Sequence, residues 1–147
     1  MKKVLNITLC FILFALVFTS CSTVTGGSSE NNDEELYAAA IERYFNSVLQ
    51  ADLDTFLDSL DPLGRLYPAP EAIEQLRESA SESALPGEAY VEEITTVEES
   101  TSRAIVDVAL FMRIDFDKNG EFYEETANLT FELTFKDGVW RIFDFRK

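Results

Sequence analysis

The stretch RAIVDVALFMRIDF, residues 103–116, decides the fold because its side chains alternate in character with a period of two. One set of alternate positions is wholly apolar: Ala104, Val106, Val108, Leu110, Met112, Ile114 and Phe116. The intervening set carries the charged residues Arg103, Asp107, Arg113 and Asp115. Successive side chains of a strand point to opposite faces of a sheet. The stretch therefore predicts a long strand with one buried face.

Three further stretches predict strands that pair with this one. Residues 123–135 alternate in the same way, with an apolar face of Tyr123, Ala127, Leu129, Phe131, Leu133 and Phe135. Residues 88–98 predict an earlier strand, and a Lys-Asp-Gly turn at 136–138 leads into a final strand at 139–145. Consecutive strands with short connections predict an antiparallel meander.

The residues before the strands predict helices. A first helix over residues 34–51, capped by Asn32 or Asp33, places apolar residues at helical spacing. These residues are Tyr37, Ile41, Tyr44, Phe45 and Val48. Two shorter helices follow at 53–60 and 71–83. Helices followed by strands predict a segregated α+β fold, with the first helix lying across a curved four-stranded antiparallel sheet.

The first residues of the chain have the composition of a secretory signal peptide. Lys2 and Lys3 supply a positive start, residues 4–18 form an apolar run, and two small residues precede Cys21. A membrane-spanning helix needs about 18–20 apolar residues, and this run is shorter. We therefore expect cleavage before Cys21.

The motif FTSC at residues 18–21 resembles the lipobox of bacterial lipoproteins, although Phe18 stands where Leu is usual. The resemblance implies a diacylglyceryl group on Cys21, so membrane lipid is the expected partner of this residue. It places the protein in the bacterial cell envelope, and Ser22 implies the outer membrane if the host is Gram-negative. The predicted division is residues 1–20 for the signal peptide, 21–33 for the lipidated cysteine and a flexible tether, and 34–147 for the folded domain.

The charge of the chain excludes several kinds of partner. Removing the positive charges of Lys2 and Lys3 from a formal charge of −15 leaves −17 on the mature chain. The remaining basic residues are scattered singly and form no patch that could neutralise a phosphate backbone. We therefore expect no nucleic-acid partner, and membrane contact through lipid instead of charge.

The opening helix, the step ADLDTF at 51–56 and the closing strand DGVWRI at 137–142 together resemble the nuclear transport factor 2-like superfamily. That superfamily includes SnoaL-like and ketosteroid isomerase-like proteins. The resemblance spans about residues 34–147 and implies a cone, in which a bent sheet wraps around helices and leaves a pocket at its open end. A plain two-layer α+β sandwich of another family is the alternative.

The sequence offers few residues for catalysis. It has no histidine, which removes the commonest general base and metal ligand. The candidates for a pocket are Tyr44, Tyr67, Tyr90, Asp52 and Asp144, and Asp52 also suits a helix cap. From these and Trp140 we select Tyr44, Tyr67 and Trp140 as candidate ligand-binding residues. No catalytic residue, metal or cofactor is predicted.

The segment DFDKNG at 115–120 imitates the start of a calcium-binding loop, with oxygen ligands at alternate positions and Gly at the sixth. The twelfth position is Thr126 instead of the closing glutamate. The segment also lies between two predicted strands, where Asn119 and Gly120 suit a turn. A hairpin is therefore favoured over a calcium site.

These observations favour a non-enzymatic envelope lipoprotein that binds a small apolar ligand, a peptide or a protein through a cone-shaped pocket or a sheet face. One alternative is a SnoaL-like isomerase or hydrolase that works without histidine. Another is a purely structural module that presents a surface to an envelope protein. Ile105, Ala109 and Phe111 make the outer sheet face more apolar than solvent requires, which is consistent with the homodimers common in the resembled superfamily.

Overall fold

The computed structural model describes residues 31–146. The predicted signal peptide at 1–20, the lipidation site Cys21 and most of the tether lie outside this range. Among the residues described, no helix is long and apolar enough to span a bilayer.

The described chain has helices first and a sheet afterwards, which confirms the predicted α+β class. The helices are α1 (Asn31–Gln50), α2 (Leu53–Asp58) and α3 (Pro70–Ser83). The strands are β1 (Gly87–Ser100), β2 (Arg103–Ile114), β3 (Tyr123–Lys136) and β4 (Val139–Arg146). They form one antiparallel sheet in the order β1-β2-β3-β4.

The helix boundaries differ slightly from those predicted. Asn32 and Asp33 lie inside α1 and are not its cap, since α1 includes Asn31. Acidic residues in a first turn face the positive end of the helix dipole, so Asp33 suits its observed place. Asp52 does cap α2, because its carboxylate accepts hydrogen bonds from the Thr55 N–H at 3.1 Å and the Thr55 hydroxyl at 2.7 Å.

The core lies between one face of α1 and the concave face of the sheet. Tyr37, Ile41 and Tyr44 are spaced three to four residues apart, so they share one side of the helix. All three are at most 2% exposed. They pack against fully buried sheet residues: Val106, Leu110, Phe131, Leu133 and Ile142. Burial of these apolar side chains is the main stabilising contribution to the fold.

The sheet is curved because its pairing is interrupted. In β1 the register shifts between Val91 and Glu93 and again between Thr96 and Glu98. The pairing of β3 with β4 shifts at Glu132. Each bulge inserts an extra residue into one strand, which bends that strand and increases its twist. The concave face produced in this way accommodates α1.

Side chains of α1 cover the free edge of β1. The Asn46 amide donates to the Ala89 carbonyl at 2.8 Å and accepts from the Ala89 N–H at 3.1 Å. Glu42 accepts from the Val91 N–H at 2.8 Å. An uncovered edge strand would offer these backbone groups to another chain. The helix therefore occupies a sheet edge that could otherwise pair with a second molecule.

The two hairpin turns that were predicted, at residues 118–120 and 136–138, form in the structure. Asp137 and Gly138 have positive φ angles of 55° and 80° between paired Lys136 and Val139, which is typical of a two-residue type I′ turn. In the longer β2–β3 connection the positive φ angles fall on Lys118 and Gly120. Asn119, which was expected to tolerate such an angle, does not adopt one.

Four side chains at the ends of the central strands have a different exposure from the one predicted. Asp115 was expected to face solvent but is 2% exposed, because β2 ends at Ile114 and the Asp115 carboxylate accepts hydrogen bonds from the loop that follows. Phe116 was expected to face the core but lies beyond the strand and is 43% exposed. Tyr123 and Phe135 were also expected inside but are 45% and 40% exposed, since they lie near the ends of β3 and outside the core cluster.

Candidate functional site

The space that a cone would enclose is filled by aromatic rings around Tyr44. The Tyr44 ring lies 5.0 Å from that of Phe45 and 5.6 Å from that of Phe56. Phe131 extends the cluster, with its ring 6.2 Å from Phe45 and 5.5 Å from Phe145. Tyr44 itself is 2% exposed, and burial raises its pKa. This part of the interior is packed with side chains of the protein itself.

A second aromatic cluster surrounds Trp140, nearer the start of α1. The Tyr37 and Trp140 rings meet edge to face at 4.8 Å, and Phe135 lies 5.1 Å from Trp140. The Tyr37 hydroxyl donates a hydrogen bond to the Glu99 carboxylate at 2.9 Å. Burial raises the pKa of Tyr37, and the hydrogen bond and negative charge of Glu99 raise it further. Trp140 is half-buried and Phe135 is 40% exposed, so part of this cluster is open to solvent.

The three candidate ligand-binding residues lie in different places. Tyr44 and Trp140 belong to the separate ring clusters just described. Tyr67 is half-buried against the edge of the core, in the segment between α2 and α3. The structure therefore does not bring the three rings into one aromatic cluster, and their role in ligand binding stays a prediction.

The remaining pocket candidates also have structural partners. Asp52 is the cap of α2. Asp144 accepts a hydrogen bond from the Phe145 N–H at 2.9 Å and lies 3.5 Å from the Arg65 guanidinium. Tyr90 lies on the opposite side of the sheet from the core, where its ring stacks on Phe111 at 4.8 Å.

A buried carboxylate that sequence reasoning missed is Asp61. It is 6% exposed and accepts hydrogen bonds from the Thr134 hydroxyl at 2.5 Å and the Leu63 N–H at 2.8 Å. Burial alone would raise its pKa, but these two hydrogen bonds and the charges of Lys136 and Arg141 lower it below the usual range. The signal was the sequence Asp61-Pro-Leu, in which an Asp side chain commonly accepts from the backbone two residues on.

Asp61 belongs to a segment that covers the free edge of β4. The Asp61 N–H donates to the Ile142 carbonyl at 2.9 Å, and the Ile142 N–H donates to the Ser59 carbonyl at 2.9 Å. Beside this segment, Arg141 donates to the Asp58 carboxylate at 3.1 Å and Arg43 donates to it at 3.3 Å. These contacts join α1, α2 and β4, and they engage the charges in structural ion pairs.

The calcium-like loop closes as a turn. The Asp115 carboxylate accepts hydrogen bonds from the N–H groups of Asn119 at 3.1 Å and Gly120 at 2.6 Å. Its own N–H donates to the Pro86 carbonyl at 2.9 Å. Both oxygens of Asp115 are thus engaged by the loop itself, which fits the predicted hairpin. Within residues 31–146, no cluster of three or more acidic or cysteine side chains is arranged to hold a metal ion.

Several solved structures resemble this arrangement of helices and strands. No protein-family model matches the sequence, and no curated protein sequence does either. A candidate calcium/calmodulin-dependent protein kinase II association domain from Xanthomonas campestris is 20% identical, covers 86% of this chain and 95% of its own, and gives a TM-score of 0.56. A candidate aromatic ring hydroxylase from Novosphingobium aromaticivorans is 15% identical over 81% of this chain and 90% of its own, with a TM-score of 0.60.

A nuclear transport factor 2-like protein involved in plasmid conjugation is 12% identical, with a TM-score of 0.55, over 88% of this chain and 44% of its own. The domain has the nuclear transport factor 2-like fold. This result confirms the fold that the helix and strand motifs predicted and removes the plain sandwich as an alternative. At these identities the likeness concerns the fold and carries no activity to this chain.

The nuclear transport factor 2-like domain should lose stability at alkaline pH through Tyr37 and Tyr44. A raised pKa in the folded state means that the neutral hydroxyl is favoured there, whereas an unfolded tyrosine ionises near pH 10. Ionisation of these hydroxyls therefore costs no stability below about pH 10, and the stability of the fold declines as the pH rises from there toward the folded pKa. Tyr44→Phe should weaken this alkaline decline, as urea unfolding at about pH 7 and about pH 10.5 would show.

Tyr37→Phe is the matched comparison for that measurement. It removes the hydrogen bond to Glu99, so it should cost about 1 kcal/mol at neutral pH. Tyr44→Phe should leave neutral stability almost unchanged, because burial is the only cause of its pKa shift. An alkaline decline that is as steep in both variants as in the wild type would contradict the assignment.

Proposed function

We propose that the protein is a lipid-anchored bacterial envelope lipoprotein whose nuclear transport factor 2-like domain acts by presenting a surface to a partner. The proposal joins the signal peptide and lipobox-like motif to one structural observation. That observation is the filled interior, in which Tyr44 at 2% exposure and Phe131 at 0% occupy the space between α1 and the sheet. A function that uses the outer surface does not require this packed interior to open.

The anchoring part of the proposal is tested by Cys21→Ser. This variant should lose incorporation of labelled palmitate and leave the membrane fraction, because a thioether cannot form on serine. Cys10→Ser is the matched control, since Cys10 lies within the predicted leader and should be removed with it. Retention of both label and membrane association in Cys21→Ser would refute lipidation at this residue. In a Gram-negative host, we expect the wild type in the outer-membrane fraction.

The surface-binding part is tested by native mass spectrometry of the mature full-length protein released from detergent. We expect the mass of the acylated polypeptide with no retained small molecule, because the interior is occupied by its own side chains. A stoichiometric apolar compound in the spectrum would instead support the pocket.

Small-ligand binding remains a second candidate function, and the Trp140 end of the interior favours it. There Phe135 is 40% exposed and Trp140 is half-buried, so a small apolar molecule could reach these rings without displacing Tyr44. A ligand bound at this end would quench the fluorescence of Trp140, the single tryptophan of the chain. This signal distinguishes the two candidates.

A further inference from the structure

The outer face of the sheet carries aromatic side chains that do not contribute to the core. In the strand register, Tyr90 of β1 lies opposite Phe111 of β2, and their rings stack at 4.8 Å. Two residues along β2 on the same face, the Arg113 guanidinium lies 4.2 Å from the centre of the Phe122 ring. We name the set Tyr90, Phe111 and Phe122 the aromatic strip.

The strip is exposed to an extent that core packing does not explain. Tyr90 is 42% exposed and Phe122 is 40% exposed, while Phe111 is half-buried beneath Tyr90. The core residues of the same strands, such as Leu110 and Met112, point to the opposite face and are at most 3% exposed. Adjacent large rings on a soluble surface are typical of a contact site.

Carboxylates surround the strip. Four of them are exposed glutamates, which we name the acidic rim: Glu88, Glu92, Glu93 and Glu124. Arg113 is a basic residue beside the strip, and its guanidinium lies 3.2 Å from Glu124 and 3.8 Å from Glu88. The Glu92 carboxylate accepts a hydrogen bond from Thr126 at 3.0 Å, which holds it beside the rings. The local charge is therefore negative, as is that of the whole chain.

This charge decides between the possible occupants of the strip. A second copy of the chain would bring its own acidic rim against the first, and an anionic lipid surface would be repelled in the same way. The chain's own residues 21–30 contain no basic and no aromatic residue, so they do not complement the strip. A partner with lysine or arginine side chains is complementary to both the rim and the rings.

The structure itself contains one contact between a cationic side chain and an aromatic ring of this surface. The Arg113 guanidinium forms a cation–π pair with Phe122 of the aromatic strip. Tyr90 offers a second exposed ring of the same kind. A guanidinium or ammonium group placed over such a ring gains a favourable interaction in addition to its attraction to carboxylates.

The strip also lies away from the point where the tether joins the domain. Glu34, near the start of α1, accepts a hydrogen bond from the Thr96 hydroxyl at 3.3 Å, whereas Asn46 contacts Ala89, next to Tyr90. Twelve helical residues separate Glu34 from Asn46, which corresponds to roughly 18 Å. The strip therefore lies near the end of α1 that is farther from the start of the described chain.

We propose that the aromatic strip binds a basic segment of a protein partner, with lysine or arginine side chains placed over the exposed Tyr90 ring and against the acidic rim. This proposal deepens the proposed function and rests on it, since it names the surface and the chemistry of the partner. Aliphatic side chains of the same segment contact the exposed part of Phe122, so the segment carries both cationic and aliphatic residues.

The test measures the fluorescence anisotropy of a labelled peptide of alternating Arg and Leu with the full-length protein in non-ionic detergent. The wild type should bind saturably. Tyr90→Ala/Phe122→Ala keeps the net charge and should bind roughly tenfold more weakly, because it removes both exposed rings. Both residues lie outside the core, so an unchanged circular dichroism spectrum should accompany the loss.

Charge variants separate the acidic rim from the overall charge of the protein. Glu92→Gln/Glu93→Gln should weaken binding and reduce its dependence on salt. Glu74→Gln/Glu78→Gln makes the same change on exposed positions of α3 and should leave the affinity as it was. Equal losses in the two pairs would mean that overall charge holds the peptide, and the proposal would be wrong.

Other outcomes would also overturn the proposal. These are no binding by the wild type, wild-type affinity in Tyr90→Ala/Phe122→Ala, or a homodimer in native mass spectrometry that this double variant dissociates. The last result would make the strip a self-association surface. Membrane release of Cys21→Ser is measured separately, so a failure of anchoring and a failure of the strip remain distinguishable.

Discussion

Replacing Phe131 by Ala is expected to lower the free energy of unfolding by about 3–5 kcal/mol. Phe131 is fully buried, and its ring joins those of Phe45 and Phe145 across the interior of the cone. Truncation removes these contacts and leaves a cavity that neighbours on a rigid sheet cannot fill. Urea denaturation followed by Trp140 fluorescence would measure the effect.

Phe135→Ala provides a matched control on the same face of the same strand. Phe135 is 40% exposed and lies beside the β3–β4 turn, so its removal creates no closed cavity. We expect a loss of about 1 kcal/mol, typical of a surface-exposed contact. Equal losses at the two positions would contradict a filled interior and would reopen the case for a cavity beside Tyr44.

The second large effect is expected from Asp61→Ala, with a loss of about 2–4 kcal/mol at neutral pH. The substitution leaves the Leu63 N–H and the Thr134 hydroxyl without their acceptor in a buried setting. It also loosens the segment that pairs with Ile142 at the edge of β4. Thermal unfolding of the wild type and the variant at the same pH would measure the difference.

The contribution of Asp61 should depend on pH in a defined direction. Its folded pKa is lowered, so the ionised form is favoured in the folded protein. The resulting stability is present above the unfolded pKa of about 3.9 and is lost as the pH falls through the folded value. Wild-type stability should therefore decline below about pH 4, and Asp61→Asn should lack this part of the decline.

Asp117→Asn is the control for the pH experiment. Asp117 is exposed in the β2–β3 connection and carries the same charge. Its replacement should leave the acid decline as in the wild type. If Asp61→Asn and Asp117→Asn have equally steep declines, then Asp61 is not the group whose protonation destabilises the fold.

The strands were predictable because burial imposes a period of two on the sequence. In β2, Ala104, Val106, Val108, Leu110, Met112 and Ile114 are all buried, as the alternation required. The prediction was wrong at Asp115 and Phe116, because both residues lie beyond the end of the strand, in the loop that follows it. The Asp115 carboxylate is needed to accept the backbone N–H groups of its own loop, and this need outweighs the pattern.

The candidate site was less predictable than the fold. Tyr44, Tyr67 and Trp140 were chosen as large amphipathic residues, and that choice could not indicate which rings would contact each other. Asp61 and Glu99 were not selected, since their partners Thr134 and Tyr37 are 73 and 62 residues away in the chain. A sequence pattern of short range has no information about such pairs.

The sequence by itself determined the order of helices and strands, the buried face of the central strands, the Asp52 cap, the two predicted turns and the lack of a histidine. These properties depend on neighbours in the chain, through backbone geometry and the period of side-chain direction. Only the tertiary structure decided that Tyr44 and Phe131 fill the interior and that Tyr90 and Phe122 remain outside it. The physical reason is that burial of a ring depends on contacts between α1 and the sheet, which involve residues far apart in the chain. The local alternation of apolar and polar residues contains no information about those contacts.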